Sequence, residues 1–382
     1  MLRWPAMRYK GWTIKTLLLR LLILSVDPTT EEIDNNLIVK TVQSADGQTF
    51  ACVDFKSQPS LTHPLLKNHT RQPMLPVSFP DSTDGDKGPK FHISDVEMSN
   101  IDCPPGTVPI LTSYNASMSP RCLDKIIGYK YNEIGNNKEY TQTAAFATVA
   151  STFYGLQSSI SVWEPDLGTG KEPRFSGAMA IVENEGSRVA AGWSVDPYLY
   201  GDNQVHFEIA WVDNEKSCVN VRCAGFVQTS KKATPGIIIK PVSIINGKQY
   251  IIRVKIIKLL GAWILKVGEE IVGYWPSKLF SHMSESADRI SWMGVAGAAP
   301  GDPFPPMGSG QPPDEGDAKS ACFSDAKVID ASGRGVTLAL NRVNTVVTAP
   351  KCFDVGRPTS TEDGGLQFYY GGTGCSPSLP IE

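Results

Sequence analysis

The sequence predicts an all-β protein: an antiparallel β-sandwich with a concave cleft and one short helix, preceded by a small N-terminal propeptide-like region. Three observations carry that prediction. From about residue 140 the chain runs as short alternating segments separated by turns, the pattern of half-buried strands. Two tight-turn pairs, Asn246-Gly247 and Gly268-Glu269, stand between β-rich arms, where such pairs close hairpins. Glycine (34) and proline (28) are abundant among the 382 residues, which favours many turns.

The elements follow in chain order. Residues 1–29 have a basic start and a leucine-rich core, a candidate signal segment that is atypical because Lys15 and Arg20 interrupt it. Nothing later reaches the ~18 uninterrupted apolar residues of a membrane span. Residues 30–125 form a separate N-terminal region. In it, "IVKTVQSADGQTFACVDF" reads as two strands around Asp46-Gly47. "QPSLTHPLLKNHT" is Pro-rich and looks extended, and residues 75–100 read as a polar, mobile linker. Residues 126–382 form the main domain.

There "SSISVWEP", "GAMAIVEN", "RISWMGVAG" and "DAKVIDASGRGVTL" are strands. In "VHFEIAWV", Val205, Phe207, Ile209 and Trp211 share one face. "SIINGKQYIIRVKII" and "AWILKVGEEIVGYW" are hairpins, the second with a II′ turn at Gly268-Glu269. The expected helix is "PSKLFSHMSESADRI", where Pro276 suits a first turn and Leu279, Met283, Ala287 and Ile290 recur at helical spacing.

Composition excludes several function classes. The net charge is −3 and no basic stripe occurs, so nucleic acid is not an expected partner. The five histidines lack metal-ligand spacing, and no metal or cofactor is expected. Eight cysteines without a CxxC pair point to disulfides in an oxidising compartment. Cys218 and Cys223 would close the small loop "CVNVRC". Sequons at Asn68 and Asn115 agree with a secreted glycoprotein. A monomer with no membrane association in its mature form is expected.

A set of motifs occurs in order: "PLLKNHT", "CPPGTVPIL", "AGWSVDPYLYGD", "CAGFVQTS", "VGYWPSKLF", "MGSG", "DEG" and "YYGGTGC". Together they resemble the plant neprosin family, an activation peptide followed by a neprosin domain, over about residues 37–378. The resemblance implies a secreted glutamic endopeptidase of the apoplast or cell wall that cuts after proline in acid. In that mechanism two glutamates face each other across the cleft and hold one water. The ionised carboxylate is general base and the protonated one polarises the scissile carbonyl. Two close carboxylates do not both ionise cheaply, so their pKa values split and an acid optimum follows.

The family pattern has glutamate in "EAGW", where this chain has Ala190, and in a segment like "EWGGEV", where it has Ser291 and Val295. The catalytic carboxylate of the second segment corresponds to Val295. Both expected acids are replaced, so impaired or lost catalysis is expected. The alternatives left open are an active endopeptidase using another acid, with Glu208 the candidate, and a module that binds peptide or cell-wall polymer.

Strand alternation puts Val189, Ala191, Trp193 and Val195 on one face of "RVAAGWSV" and Ala190, Gly192 and Ser194 on the other. The small-residue face leaves room for a ligand, or for packed protein. Tyr200, Trp211, Tyr274 and Trp275 could stack on proline or sugar rings, and serve core packing equally well. Gln228 could bond a peptide backbone. The expected substrate or ligand is a peptide or proline-rich protein. The remaining expected disulfides are Cys352–Cys375 and Cys52–Cys103, with Cys122 and Cys322 left to pair with each other.

Overall fold

The computed structural model describes residues 33–66, 69, 93–114, 141–170, 173–214, 216–361 and 364–375. The expected signal segment at 1–29, the sequons' Asn68 and Asn115, and Cys122 lie outside these residues. The strands begin with β1 (Ile38–Gln43), β2 (Thr49–Asp54), β3 (Ile93–Asp95), β4 (Thr107–Leu111), β5 (Thr141–Thr148), β6 (Gly155–Ser161) and β7 (Phe175–Asn184). There follow β8 (Ser187–Val195), β9 (Val205–Asp213), β10 (Lys216–Val219), β11 (Val227–Gln228), β12 (Gln249–Leu259), β13 (Ala262–Val267) and β14 (Glu270–Pro276). The last are β15 (Arg289–Gly297), β16 (Ala321–Ile329), β17 (Gly335–Val336), β18 (Val343–Val347), β19 (Asp354–Val355), β20 (Thr359–Ser360) and β21 (Leu366–Gly371).

They build three sheets. A small one has the order β1-β2-β4. A seven-stranded antiparallel sheet runs β10-β9-β8-β7-β15-β5-β18, and an eleven-stranded sheet runs β11-β14-β13-β12-β6-β16-β21-β19 with β3, β17 and β20 paired at its sides. The two large sheets pack face to face. Register aligns Val189, Ala191, Trp193 and Val195 of β8 with Trp211, Ile209, Phe207 and Val205 of β9, so both strands turn their apolar face inward. The Trp193 indole donates to the Ser161 carbonyl of β6 at 2.9 Å, and Phe146 of β5 meets Phe368 of β21 edge-on at 4.5 Å. Trp193, Trp263, Trp275 and Trp292 are fully buried. Burying one large apolar side chain is worth about 1.5–3 kcal/mol, which makes this interior the main source of stability.

Turn chemistry places several predicted joints. Asp46-Gly47 joins β1 to β2 with Gly47 at φ +83°. Gly268 at φ +54° begins the two-residue link between β13 and β14, as a II′ turn requires. Asn246-Gly247 does turn the chain, with Ile244 accepting from Gly247 and donating to Lys248, but only its second arm, β12, is a strand.

The described residues contain one short α-helix, and it is not the expected one. Helix α1 is Pro197–Tyr200, capped by the Asp196 side chain on the Leu199 N–H and closed by Gly201 at φ +84°. Over 276–290 there is a 3-10 turn at Ser277–Leu279 and then irregular chain up to β15. Leu279, Met283, Ala287 and Ile290 are all buried, which is why their spacing imitates a helix. Their backbone groups bond elsewhere: Met283 accepts from the Trp263 indole, and Ala287 bridges Phe153. Tertiary hydrogen bonds have replaced the helical ladder.

The N-terminal region also departs from expectation. "QPSLTHPLL" forms 3-10 turns at Pro59–Thr62 and Pro64–Leu66 instead of an extended run. Within the expected linker, β3 lies parallel to β12 at Gln249–Ile251, where the edge beyond the end of β13 would otherwise be unpaired. Disulfides Cys52–Cys103, Cys218–Cys223 and Cys352–Cys375 form as expected. Cys322 is a free thiol, against the expected pairing with Cys122. Burial pushes that thiol up to about 11.

Candidate functional site

The candidate site is the outward face of the seven-stranded sheet, and strand register defines its rows. One row runs His206, Ser194, Gly177, Val295. The next runs Glu208, Gly192, Met179, Met293, and the third runs Ala210, Ala190, Ile181, Ser291. The fourth runs Val212, Arg188, Glu183, Arg289. Ala190 and Ser291 therefore share a row, across one intervening strand. Ala190 and Val295 share the face but stand two rows apart. Neither position offers a titratable group. The Ser291 hydroxyl is buried and has no hydrogen-bond partner.

Gly192 acquires a different meaning here. A Cβ at Gly192 would lie 1.9 Å from the Ala178 carbonyl oxygen, and one at Gly177 would lie 2.5 Å from the Trp193 carbonyl oxygen. The two glycines let β7 and β8 approach closely. Backbone, not an open ligand space, explains the mid-strand glycine.

Glu208 is one of two acids on the described strands of this face and is fully buried. Ser194 Oγ donates to its Oε2 at 2.5 Å and the Tyr200 hydroxyl donates to the same oxygen at 3.2 Å. Helix α1 delivers Tyr200, and the disulfide-closed loop 218–223 delivers Asn220. Asn220 Nδ2 donates to Tyr200 at 3.0 Å and to the Tyr114 hydroxyl at 3.4 Å, while its Oδ1 accepts from the Ile209 N–H. Tyr200 stacks on His206 at 3.7 Å and faces Tyr114 at 6.0 Å, and the Arg222 guanidinium lies 4.5 Å over the Tyr114 ring. Burial pushes the Tyr114 phenol up to about 12, with Arg222 opposing it. Burial and then the Glu208 charge hold the Tyr200 phenol well above its ordinary value. The Tyr200 hydroxyl donates to Glu208 while the Tyr114 hydroxyl accepts from Asn220. His206 Nε2 meets Asp202 at 2.9 Å. Burial would raise the Asp202 carboxyl, but the hydrogen bond and charge of His206 outweigh it and hold the carboxyl low.

Hydrolysis by the expected carboxylate pair needs a second carboxylate near the first. On the described strands of this face the other acid is Glu183, pinned by Arg188 at 2.6 Å and Arg289 at 3.8 Å. Glu183 lies two strands and four residues away from Glu208 in register, a Cα separation of roughly 16 Å from ordinary strand spacing. A water held between them is ruled out. Among the described residues no cluster of His, Cys, Asp or Glu suits a metal ion.

The other expected site residues do not join one cleft. Gly192, Ser194, Tyr200 and Glu208 come together. Trp211 is on the inward face, edge-on to His63 and Phe280. Trp275 is buried in the interior against Phe226. Tyr274 belongs to a separate buried cluster, where its hydroxyl meets His69 at 3.0 Å. Gln228 is buried, and its Nε2 donates to the carbonyl of Pro109 in the chain's own β4 at 2.9 Å. Asn220, Arg222 and Tyr114 were not foreseen. The Cys218–Cys223 bracket was the available signal for the first two.

These contacts repeat a theme. His63, His69, Pro109 and Tyr114 all belong to the N-terminal region, and each touches one of the expected site residues. Fold and site thus define an antiparallel β-protein in which N-terminal residues contact the strands and loops of both large sheets. The neprosin family pattern matches residues 172–373 and the neprosin activation peptide pattern matches 41–150; the chain belongs to the neprosin family. Among solved structures it aligns with scytalido-glutamic peptidase bound to a peptide-based transition state analogue, at 10% identity and TM-score 0.32. A second structure of that peptidase, with a transition state analogue inhibitor, gives 11% and 0.30. Both alignments cover 61% of this chain and 98% of the other. No helix of the described residues is long and apolar enough to cross a membrane.

Proposed function

We propose that this is a secreted neprosin-family protein that binds peptide and has lost peptide hydrolysis. One observation carries the loss: among the described strands of this face the other carboxylate besides Glu208 is Glu183, roughly 16 Å away by ordinary strand spacing and held by two arginines. A single buried carboxylate supplies either a base or an acid, and peptide hydrolysis in acid needs both. Secretion is supported by three disulfides. Peptide as ligand is supported by Gln228, which already holds a backbone carbonyl.

The test is a cleavage assay of the full chain in acid with a proline-containing peptide, read by mass spectrometry. No cut after proline is the expected result. Turnover that Glu208→Gln leaves intact overturns the loss of catalysis. Turnover that Glu208→Gln abolishes establishes the second reading, an endopeptidase built on Glu208.

A further inference from the structure

Strand β11 is the terminal strand of the eleven-stranded sheet, so its outer backbone groups need partners. The N-terminal region supplies them through a glutamine. Gln58 Oε1 accepts from the Gln228 N–H at 2.8 Å, and Gln58 Nε2 donates to the Gln228 carbonyl at 3.3 Å. One side-chain amide thus satisfies both backbone groups of one residue, as a neighbouring strand would. Gln228 attempts the same towards β4 and succeeds by half. Its Nε2 donates to the Pro109 and Ser230 carbonyls, but its Oε1 is buried and has no partner. The cause is chemical: proline has no N–H to give. Three residues on, Lys231 Nζ donates to the Cys103 and Pro104 carbonyls, each at 2.7 Å.

We propose that Gln228 and Lys231 form a docking site for an extended peptide, and that the chain's own segment 103–109 occupies it as an incomplete ligand. The recognised chemistry is a strand that gives two adjacent carbonyls to Lys231 and one residue with both N–H and C=O to Gln228. The chain's own strand withholds the N–H at Pro109. A peptide with an ordinary residue there satisfies Gln228 Oε1 as well and displaces it. An orphaned buried acceptor costs more than an average hydrogen bond contributes, so the added bond is worth roughly tenfold in affinity. The proposal rests on the peptide-binding half of the reading above and not on the loss of catalysis.

A protease site placed between residues 115 and 140 allows the test on the full chain. Cys52–Cys103 is internal to the N-terminal region, so no described disulfide bridges the cut. After cutting, a labelled peptide of residues 101–113 carrying Cys103→Ser and Pro109→Ala is added. It is expected to displace the N-terminal fragment roughly tenfold better than its Pro109 counterpart. Gln228→Glu, which removes the amide donor, and Lys231→Ala should each weaken both peptides about tenfold or more. Equal binding of the two peptides, or variants that bind as well as wild type, overturns the site. If the cut chain aggregates, hydrogen exchange of the uncut chain decides: Gln228→Glu and Lys231→Ala must speed exchange at residues 106–111, and unchanged rates overturn the proposal. A peptide that binds and is then cut refutes the lost hydrolysis but leaves the docking site standing. One that fails to bind does the reverse.

Discussion

Ser194→Ala isolates the strongest link in the buried network. Ser194 and Glu208 are both fully buried, and their bond is 2.5 Å long, at the short end for an O–H donor on oxygen. Leaving one buried partner of such a bond unsatisfied costs about 1–3 kcal/mol. The Tyr200 bond to the same oxygen is longer, at 3.2 Å, so its share is smaller. Tyr200→Phe, however, also strips Asn220 Nδ2 of its 3.0 Å acceptor, and its total is again about 1–3 kcal/mol. Because both hydroxyls serve one carboxylate, the double variant should lose more than the sum, by about 0.5–3 kcal/mol. Urea unfolding at neutral pH measures all three, read as a lower midpoint at unchanged slope. A Ser194→Ala midpoint within about 0.5 kcal/mol of wild type refutes the account, since surface-like tolerance is incompatible with loss of a fully buried hydrogen bond.

Two further outcomes follow from the same geometry. Burial, then Lys216 and Lys278, lowers His63, and burial, then Lys278, lowers His69; each is favoured neutral when docked, so the stability they lend is full above 6.5 and is lost as pH falls through the lowered values. Protection from hydrogen exchange over residues 55–66, corrected for the intrinsic rate at each pH, should fall in acid, and His63→Phe should flatten that pH dependence. Gly192→Ala should cost more than about 2 kcal/mol, because its Cβ meets backbone that has no room to move, and thermal unfolding will register the loss.

Much of this architecture was legible because it is local. The alternation in "RVAAGWSV" sorts β8 into two faces without any knowledge of its partners, and Gly268 or Asp46-Gly47 need only their own φ angles. The Cys218–Cys223 loop is likewise closed over a few residues. What escaped is whatever depends on register or on distant chain. The rows that separate Ala190 from Val295 exist only once β7 is inserted between β8 and β15. Gln228 and Pro109 are 119 residues apart, and nothing near either one announces the other. The false helix at 276–290 shows the opposite failure: buried residues fell at helical spacing on a segment whose hydrogen bonds were claimed by its neighbours.

The placement of the disulfides has a consequence for how firmly the N-terminal region can be held. In the uncut chain that region sits opposite its docking surface at an effective concentration of about millimolar, so even micromolar contacts keep it seated. Cys52–Cys103 braces the region internally, and no disulfide among the described residues ties it to the two large sheets. A single cut converts a tethered element into a separate solute. From that moment retention depends on how dilute the surroundings are, and the same contacts that were saturated before the cut are emptied by dilution after it.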